Sequence, residues 1–391
     1  MTASARHLVL LLSLCGLFLN AGVRAQTNTA ASANNNASSP SPTAAPSMAS
    51  PVTLGWQQCA AQTQDATARL ACYDRWVQGQ AQTSAQTASA IAPEPTVSPA
   101  PAADCGTPSA SLLSRFWELE AQTDCGRFNI RGYKPISLSY VRMDSVNTAP
   151  SSPTAGHTAT SDTAYLTTEA RLQLSVRTKI GAGFLPVDRF GLRDSLWFGY
   201  TQQSAWQLFS PSISRPFRNT DHEPELIYIL PTPMDLPGGW KWRYTGLSLN
   251  HQSNGQSLPL SRSWNRAILM TGLDKGDQFT VAARVWNRIP DGDETDDNPG
   301  IDDLIGRGEV LAGWNVNPTN TISFTLRHSL ARQANGSYRF EWLRALGDGN
   351  RAGKPSGLRL HIQLFNGYGD SLVDYNQIRT VFSLGLSLVD W

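Results

Sequence analysis

From about Phe128 to Trp391 the chain consists of segments in which apolar and polar residues alternate, separated by turn residues. The last is the clearest. Ile378, Thr380, Phe382, Leu384, Leu386 and Leu388 share one parity, Arg379, Ser383, Gly385 and Ser387 the other, and Val381 and Val389 break the pattern. Residues 321–330 repeat it, with Ile322, Phe324 and Leu326 set against Thr321, Ser323, Thr325 and Arg327. Successive side chains of a strand point to opposite faces, so each segment reads as a strand with one greasy side. About twelve strands are predicted, near residues 129–143, 168–180, 193–206, 223–231, 241–253, 261–273, 277–288, 308–317, 321–330, 337–346, 357–367 and 376–389.

A soluble sandwich alternates as well. An even number of segments about ten residues long favours a membrane barrel instead. Trp391 adds to this, because outer-membrane chains usually end in an aromatic residue. The expected fold is all-β: a twelve-stranded antiparallel transmembrane β-barrel over 128–391 behind a largely disordered, disulfide-containing extension. Trp197, Tyr200, Trp206, Trp240, Trp242, Trp264, Trp286, Trp314 and Trp342 are candidates for its two interfacial girdles.

The N-terminus reads as an export signal over 1–25. Arg6 and His7 precede the apolar run Leu8–Leu19, and Val23-Arg24-Ala25 offers a cleavage site. No other stretch approaches the roughly 20 apolar residues of a membrane helix. Residues 26–53 and 79–103 are Ala-, Ser-, Thr-, Gln- and Pro-rich and cannot bury enough apolar surface to offset their ordering entropy. Between them, near 54–77, Ala-rich helical spacing predicts a small helical hairpin. The extension, 26–127, is placed in the periplasm.

A formal net charge of +1 gives no reason to expect nucleic acid as a partner. Of five cysteines, Cys15 leaves with the signal, and four remain in an oxidising compartment. Local pairing, Cys59 with Cys72 and Cys105 with Cys125, is favoured among the three possibilities. No CxxC or His-Cys clustering suggests zinc.

The candidate chemistry lies where two predicted strands meet. His251 and Ser253 share a face with Leu247 and Leu249, whereas Tyr244, Gly246, Ser248, Asn250 and Gln252 take the other. On the next strand Asn265 shares a face with Ala267, Leu269 and Leu273. In a barrel the apolar face meets lipid, so all three polar residues are expected on the outer wall. His251 can take the Ser253 proton as general base. Asn265 can fix the imidazole tautomer, and as a neutral group it avoids placing an ion near hydrocarbon.

The stretch His251-Gln-Ser-Asn-Gly255, followed by Ser261-Arg-Ser-Trp-Asn-Arg266, closely resembles the signature of the outer-membrane phospholipase A family. Tyr200-Thr-Gln202, Trp206-Gln-Leu208, Pro216-Phe217-Arg218, Thr295-Asp-Asp-Asn-Pro299 and Gly367-Tyr-Gly-Asp-Ser-Leu-Val-Asp-Tyr-Asn376 agree with it. The resemblance covers roughly 128–391. It implies a calcium-dependent hydrolase, active as a homodimer in the outer membrane, that cleaves both acyl esters of phospholipids. On that pattern Ser253 is the nucleophile, His251 the base and Asn265 the orienter. The Gly255 amide stabilises the oxyanion. Ca2+ is held by the Ser261 hydroxyl, the Gln256 carbonyl and the carbonyl of Ser214 of the partner subunit, an all-oxygen set. Gln202 matches a polar residue of the dimer interface. Gln256 stands where the family usually has Arg, and Leu258 where an acidic residue is common.

Three other readings compete. The acidic run Asp291–Asp303 lacks the turn glycine of an EF-hand and reads as a solvated loop. A non-enzymatic channel predicts an open polar lumen, although Arg262, Arg266, Arg284, Arg288 and Glu341 are placed to fill it with ion pairs. The N-terminal segment also reads as a periplasmic adaptor.

Overall fold

The computed structural model describes residues 56–61, 65–90, 110–185, 193–292, 296–347 and 357–388. The export signal, the 26–53 tether, Cys105, Asp293, Glu294 and Trp391 lie outside the described residues. The chain divides into two compact units, Met1–Thr96 and Val97–Trp391.

In the first unit, helix α1 (Trp56–Ala60) and helix α2 (Ala66–Ala90) form a hairpin closed by the Cys59–Cys72 disulfide, as the local pairing predicted. Asp65 caps α2: its Oδ1 accepts from the Thr67 and Ala68 amides at 2.8 and 3.2 Å. The helix runs on to Ala90, into the segment expected to be a flexible tether. Its Ala and Gln residues are good helix formers once a cap has nucleated the first turn.

The second unit is a closed antiparallel barrel. Its strands are β1 (Ile130–Gly132), β2 (Ile136–Met143), β3 (Thr168–Ala182), β4 (Ser195–Trp206), β5 (Phe217–Leu236), β6 (Trp240–Ser253) and β7 (Ser263–Lys275). They continue as β8 (Phe279–Ile289), β9 (Gly308–Asn317), β10 (Asn320–His328), β11 (Gly336–Ala345), β12 (Leu358–Gly367) and β13 (Arg379–Leu388). From β2 onward each strand pairs with its sequence neighbours, and β13 closes the ring on β2. Of the thirteen strands, β1 pairs only with β3, so twelve form the wall. β1 and β2 are the two halves of the strand predicted at 129–143. Pro135 interrupts them, having no N–H for the ladder, and Tyr133 and Lys134 bond instead to the backbone and hydroxyl of Ser175.

Alternation holds where it was predicted. Phe382, Leu384, Leu386 and Leu388 are exposed on the outer face, while Ser323, Thr325 and Arg327 line the lumen. Three of the girdle candidates are corrected: Trp197, Trp264 and Trp286 are buried inside, because their parity places them on the lumen face. β5 is longer than the predicted 223–231. Pro224 holds its register opposite Tyr200, and Pro231 sits at an irregularity in the β5–β6 pairing.

β5–β6, β7–β8 and β9–β10 are joined by tight turns at one end, while residues 144–167, 207–216, 254–262, 290–307 and 368–378 form longer loops at the other. Long loops mark the extracellular side of such barrels. The predicted extension ended at 127, yet helix α3 (Leu112–Trp117) packs into the lumen at the short-turn end. Trp117, 2% exposed, meets Trp197 and Tyr244 edge-on with ring centroids 5.7 and 5.8 Å apart. The Arg177 guanidinium lies 3.6 Å over the Phe116 ring.

The lumen is polar and largely occupied. Arg266 meets Glu223 at 2.8 Å, Arg284 meets Glu225 at 2.6 Å, and His361 meets Glu341 at 3.0 Å. A cavity of about 330 Å³ remains between these groups and α3. At the long-loop end, Arg171 grips Asp370 through two bonds of 2.7 and 2.8 Å, and Arg218 and Arg379 converge on Asp374. Burial alone would raise both carboxyls, but the guanidiniums beside them hold both below the usual Asp range.

Candidate active site

The outer ends of β5, β6 and β7 carry the site. In the β6–β7 ladder His251 stands directly opposite Asn265, and Ser253 opposite Ser263. Leu247 and Leu249, on the His251 face, are 58% and 57% exposed, so this face is the outer wall. The reasoning from parity and the structure agree on that placement. The interior face of the same strand end is different: Asn250 and Gln252 point into the lumen and bond to Arg266.

His251 Nδ1 lies 2.8 Å from Asn265 Oδ1. The direction of that bond follows from a neighbour that the sequence reading had left in a solvated loop. Asn265 Nδ2 donates to Asp291 Oδ1 at 3.3 Å. An ionised carboxylate only accepts, which fixes the Asn265 amide with its nitrogen toward Asp291 and its oxygen toward the ring. Nδ1 therefore donates to Asn265, and in the neutral ring Nε2 keeps its lone pair. Ser253 is two residues on along the same face. No hydrogen bond joins it to His251 in this structure, a common state of such pairs without substrate.

The β6–β7 loop is held by Asn254 and Arg262. Asn254, buried, accepts from the Gln256 and Arg262 amides at 3.3 and 2.9 Å and donates to the Leu260 carbonyl at 2.7 Å. Arg262, expected in the lumen, is instead buried in this loop, donating to the His157 carbonyl at 2.9 Å. Gly255 follows Asn254 with φ +61°, a left-handed backbone that favours glycine and turns its amide out of the ladder.

The other expected residues fall as follows. Ser261 Oγ donates to Asp297 Oδ2 at 2.8 Å, and Ser263 Oγ to the same oxygen at 3.1 Å. Asp297 Oδ1 lies 3.0 Å from His157 Nε2. The acidic loop is thus corrected from a purely solvated one: Asp296 pairs with Arg288 at 2.5 Å, and Asp297 with the strand-start serines. The Gln256 side chain turns to β5, donating to Asn219 Oδ1 at 3.2 Å. Ser214 is exposed in the β4–β5 loop with φ +61°. Gln202 faces outward on β4, donating to Ser204 Oγ at 3.2 Å. His222 was not predicted. It stands opposite both Gln202 and Ser253 in the ladder.

Fold and site together define a class: a membrane β-barrel that carries a Ser, a His and an Asn side by side on its outer wall. The phospholipase A1 family model matches residues 113–388, and the chain belongs to that family. It is 35% identical over 366 residues to a protein named putative phospholipase A1 of Neisseria meningitidis, spanning 85% of this chain and 90% of that one. To phospholipase A1 of Escherichia coli K12 it is 32% identical over 230 residues, covering 57% and 70% of the two chains. Among solved structures, the outer membrane phospholipase A of E. coli superposes with a TM-score of 0.56 at 26% identity, over 67% of this chain and 94% of that one. A Salmonella typhi outer membrane phospholipase, crystallised as a dimer with bound calcium, gives 0.57 at 27%, over 67% and 93%. This protein is accordingly an outer-membrane phospholipase, and the channel alternative is set aside.

Proposed function

We propose that the chain hydrolyses the sn-1 and sn-2 acyl esters of phospholipids through Ser253, His251 and Asn265, with calcium, as a homodimer in the outer membrane. The observation that carries this is the ordered pair His251–Asn265 beside Ser253 on a face otherwise wetted by lipid. His251 Nε2 takes the Ser253 proton as Oγ attacks the ester carbonyl, and the Gly255 amide meets the oxygen that gains charge. The same proton passes to the departing glyceryl oxygen, and water then releases the fatty acid by the reverse sequence. A solved relative described as an asparagine-to-alanine active site mutant supports the role given to Asn265.

The described residues hold no group of three or more His, Cys, Asp or Glu side chains that forms a metal site. The donors expected here are of another kind, hydroxyl and carbonyl oxygens, and they fit a hard cation. Ser261 would hold calcium through its hydroxyl and Gln256 through its carbonyl. Asp297, 2.8 Å from the Ser261 hydroxyl, brings the negative charge that Leu258 does not. When bound, the ion adds positive charge near the oxyanion.

Two features support dimerisation. Gln202, Ser204 and Thr220 form a hydrogen-bonded polar row on the lipid face, where polar groups are costly unless a partner covers them. Beside that row an apolar groove of about 470 Å³, lined by Leu172, Leu174, Leu386 and Leu388, has the character of an acyl-chain site. The entry of the chain into the barrel at the short-turn end supports a periplasmic location for the extension, and deleting residues 26–110 tests an adaptor role. Release of fatty acid from phospholipid micelles, with and without calcium, tests the reading. The native chain is expected to be active only with calcium and Ser253→Ala inactive; equal activity of the two proteins overturns the mechanism.

A further inference from the structure

Opposite Ser253 in the β5–β6 ladder stands a second imidazole, His222, on the same outward face. Directly opposed residues have Cβ atoms about 5 Å apart, so the nucleophile lies between His251 on its own strand and His222 on the next. The His222 ring is half-buried and held from one side only. Its Nδ1 lies 2.8 Å from the Tyr200 hydroxyl, which itself donates to the Gln202 side-chain oxygen at 3.2 Å. Among the described residues nothing bonds Nε2. That edge of the ring faces Gly255: a methyl group built on Gly255 would lie 3.6 Å from Cδ2 and 3.7 Å from Nε2. The ring therefore borders the residue whose amide is assigned to the oxyanion.

We infer that His222 is a catalytic residue of this hydrolase, its Nε2–H donating to the carbonyl oxygen of the attacked ester beside the Gly255 amide. The inference rests on Ser253 being the nucleophile. Nε2 carries a proton in the cationic ring, and in the neutral ring once the Tyr200 hydroxyl turns from the Gln202 oxygen to donate to Nδ1. Tyr200 and Gln202 are then positioning residues, aiming the ring from the side away from substrate. Two histidines flank one serine with opposite duties. His251, with Nδ1–H fixed on Asn265, presents a lone pair, and His222 presents a donor. No bond is made or broken at His222; it holds charge that develops on the oxygen as Ser253 Oγ adds to the carbon.

The test compares His222→Phe, His222→Gln and Ser253→Ala on two substrates, a diacyl phospholipid and a phosphate-free monoacylglycerol, in the same calcium-containing micelles. Loss of one oxyanion donor typically costs about 10²-fold or more in kcat. His222→Phe is expected to lose kcat to that degree on both substrates with KM little changed. His222→Gln, which retains an amide donor, recovers part of it. Phe suits a lipid-facing position, and the heat-modifiable gel mobility of the folded barrel confirms that each variant is intact. Loss confined to the phospholipid and to KM assigns His222 to the headgroup phosphate and overturns the oxyanion role. Unchanged kcat with both substitutions also overturns it, while inactivity of Ser253→Ala leaves the nucleophile assignment standing. Activity in Ser253→Ala overturns both.

Discussion

In the lumen, Arg266, Arg284 and Arg327 each meet a carboxylate at 2.8, 2.6 and 2.7 Å. On the outer wall, a few ångströms away through the same strands, the site is built of Ser, His and Asn side chains, with Asn265 bonded to His251. The difference follows from the two surroundings. A charged pair inside the barrel is tolerated because its partner is already in place, and breaking such a pair strands a buried ion. An ion on the lipid side has no such partner, so the site is built from Asn, His and Ser, and the carboxylates that reach it, Asp291 and Asp297, sit in the loop beyond the strand end. The lumen network serves stability and the wall serves chemistry, and the two should separate under mutation.

The widest separation is expected from His251→Ala. Loss of the base should lower kcat by about 10⁴-fold or more. Thermal unfolding should barely move, within about 0.5 kcal/mol for an exposed substitution. Glu225→Ala should behave in the opposite sense. It strips the Arg284 pair and the bond from Tyr133, and about 3–5 kcal/mol of stability should go with them in urea unfolding. Activity per folded molecule should hold; a matching fall in kcat would erase the division between the two regions.

Asn265→Ala sharpens the picture on the wall side, with an expected loss of about 10²-fold in kcat. Asp291→Ala should cost less, about fivefold, since it removes the 3.3 Å bond that orients the amide, and a 3.5 Å pair with Arg288, but leaves the amide itself. If Asp291→Ala exceeds Asn265→Ala, the amide is not the link between them. The smallest effect is expected from pH on the loop cluster. Asp370 and Asp374 ionise more readily in the folded protein than in the unfolded chain. Their contribution is therefore present above the ordinary Asp range, near pH 4, and lost as pH falls below it. Unfolding midpoints should be flat between about pH 5 and pH 8 with respect to these groups and decline only under stronger acid.

Parity made much of this legible. Alternation placed His251, Ser253 and Asn265 on the outer wall, and the ladder shows His251 and Asn265 in direct opposition. What stayed hidden depended on contacts between distant segments. His222 fell just outside the predicted β5, 223–231, yet the strand begins at Phe217 and carries His222 to Ser253. Asp291 and Asp297 looked like members of one solvated acidic run, since nothing local shows that Asn265, Ser261 and Ser263 come to meet them. The α3 plug was lost for a similar reason. Six residues of helix carry little periodicity, and only the lumen face of Trp197 and Tyr244 explains Trp117.

The central claim, that the lipid-facing wall carries the nucleophile, is tested most directly by covalent capture. A lipophilic, serine-directed phosphonylating reagent is added to the folded protein in calcium-containing micelles, and the adduct is mapped by mass spectrometry. A single adduct on Ser253, absent from His251→Ala, is the predicted result. Labelling of another residue, or equal labelling of Ser253→Ala, would contradict the account.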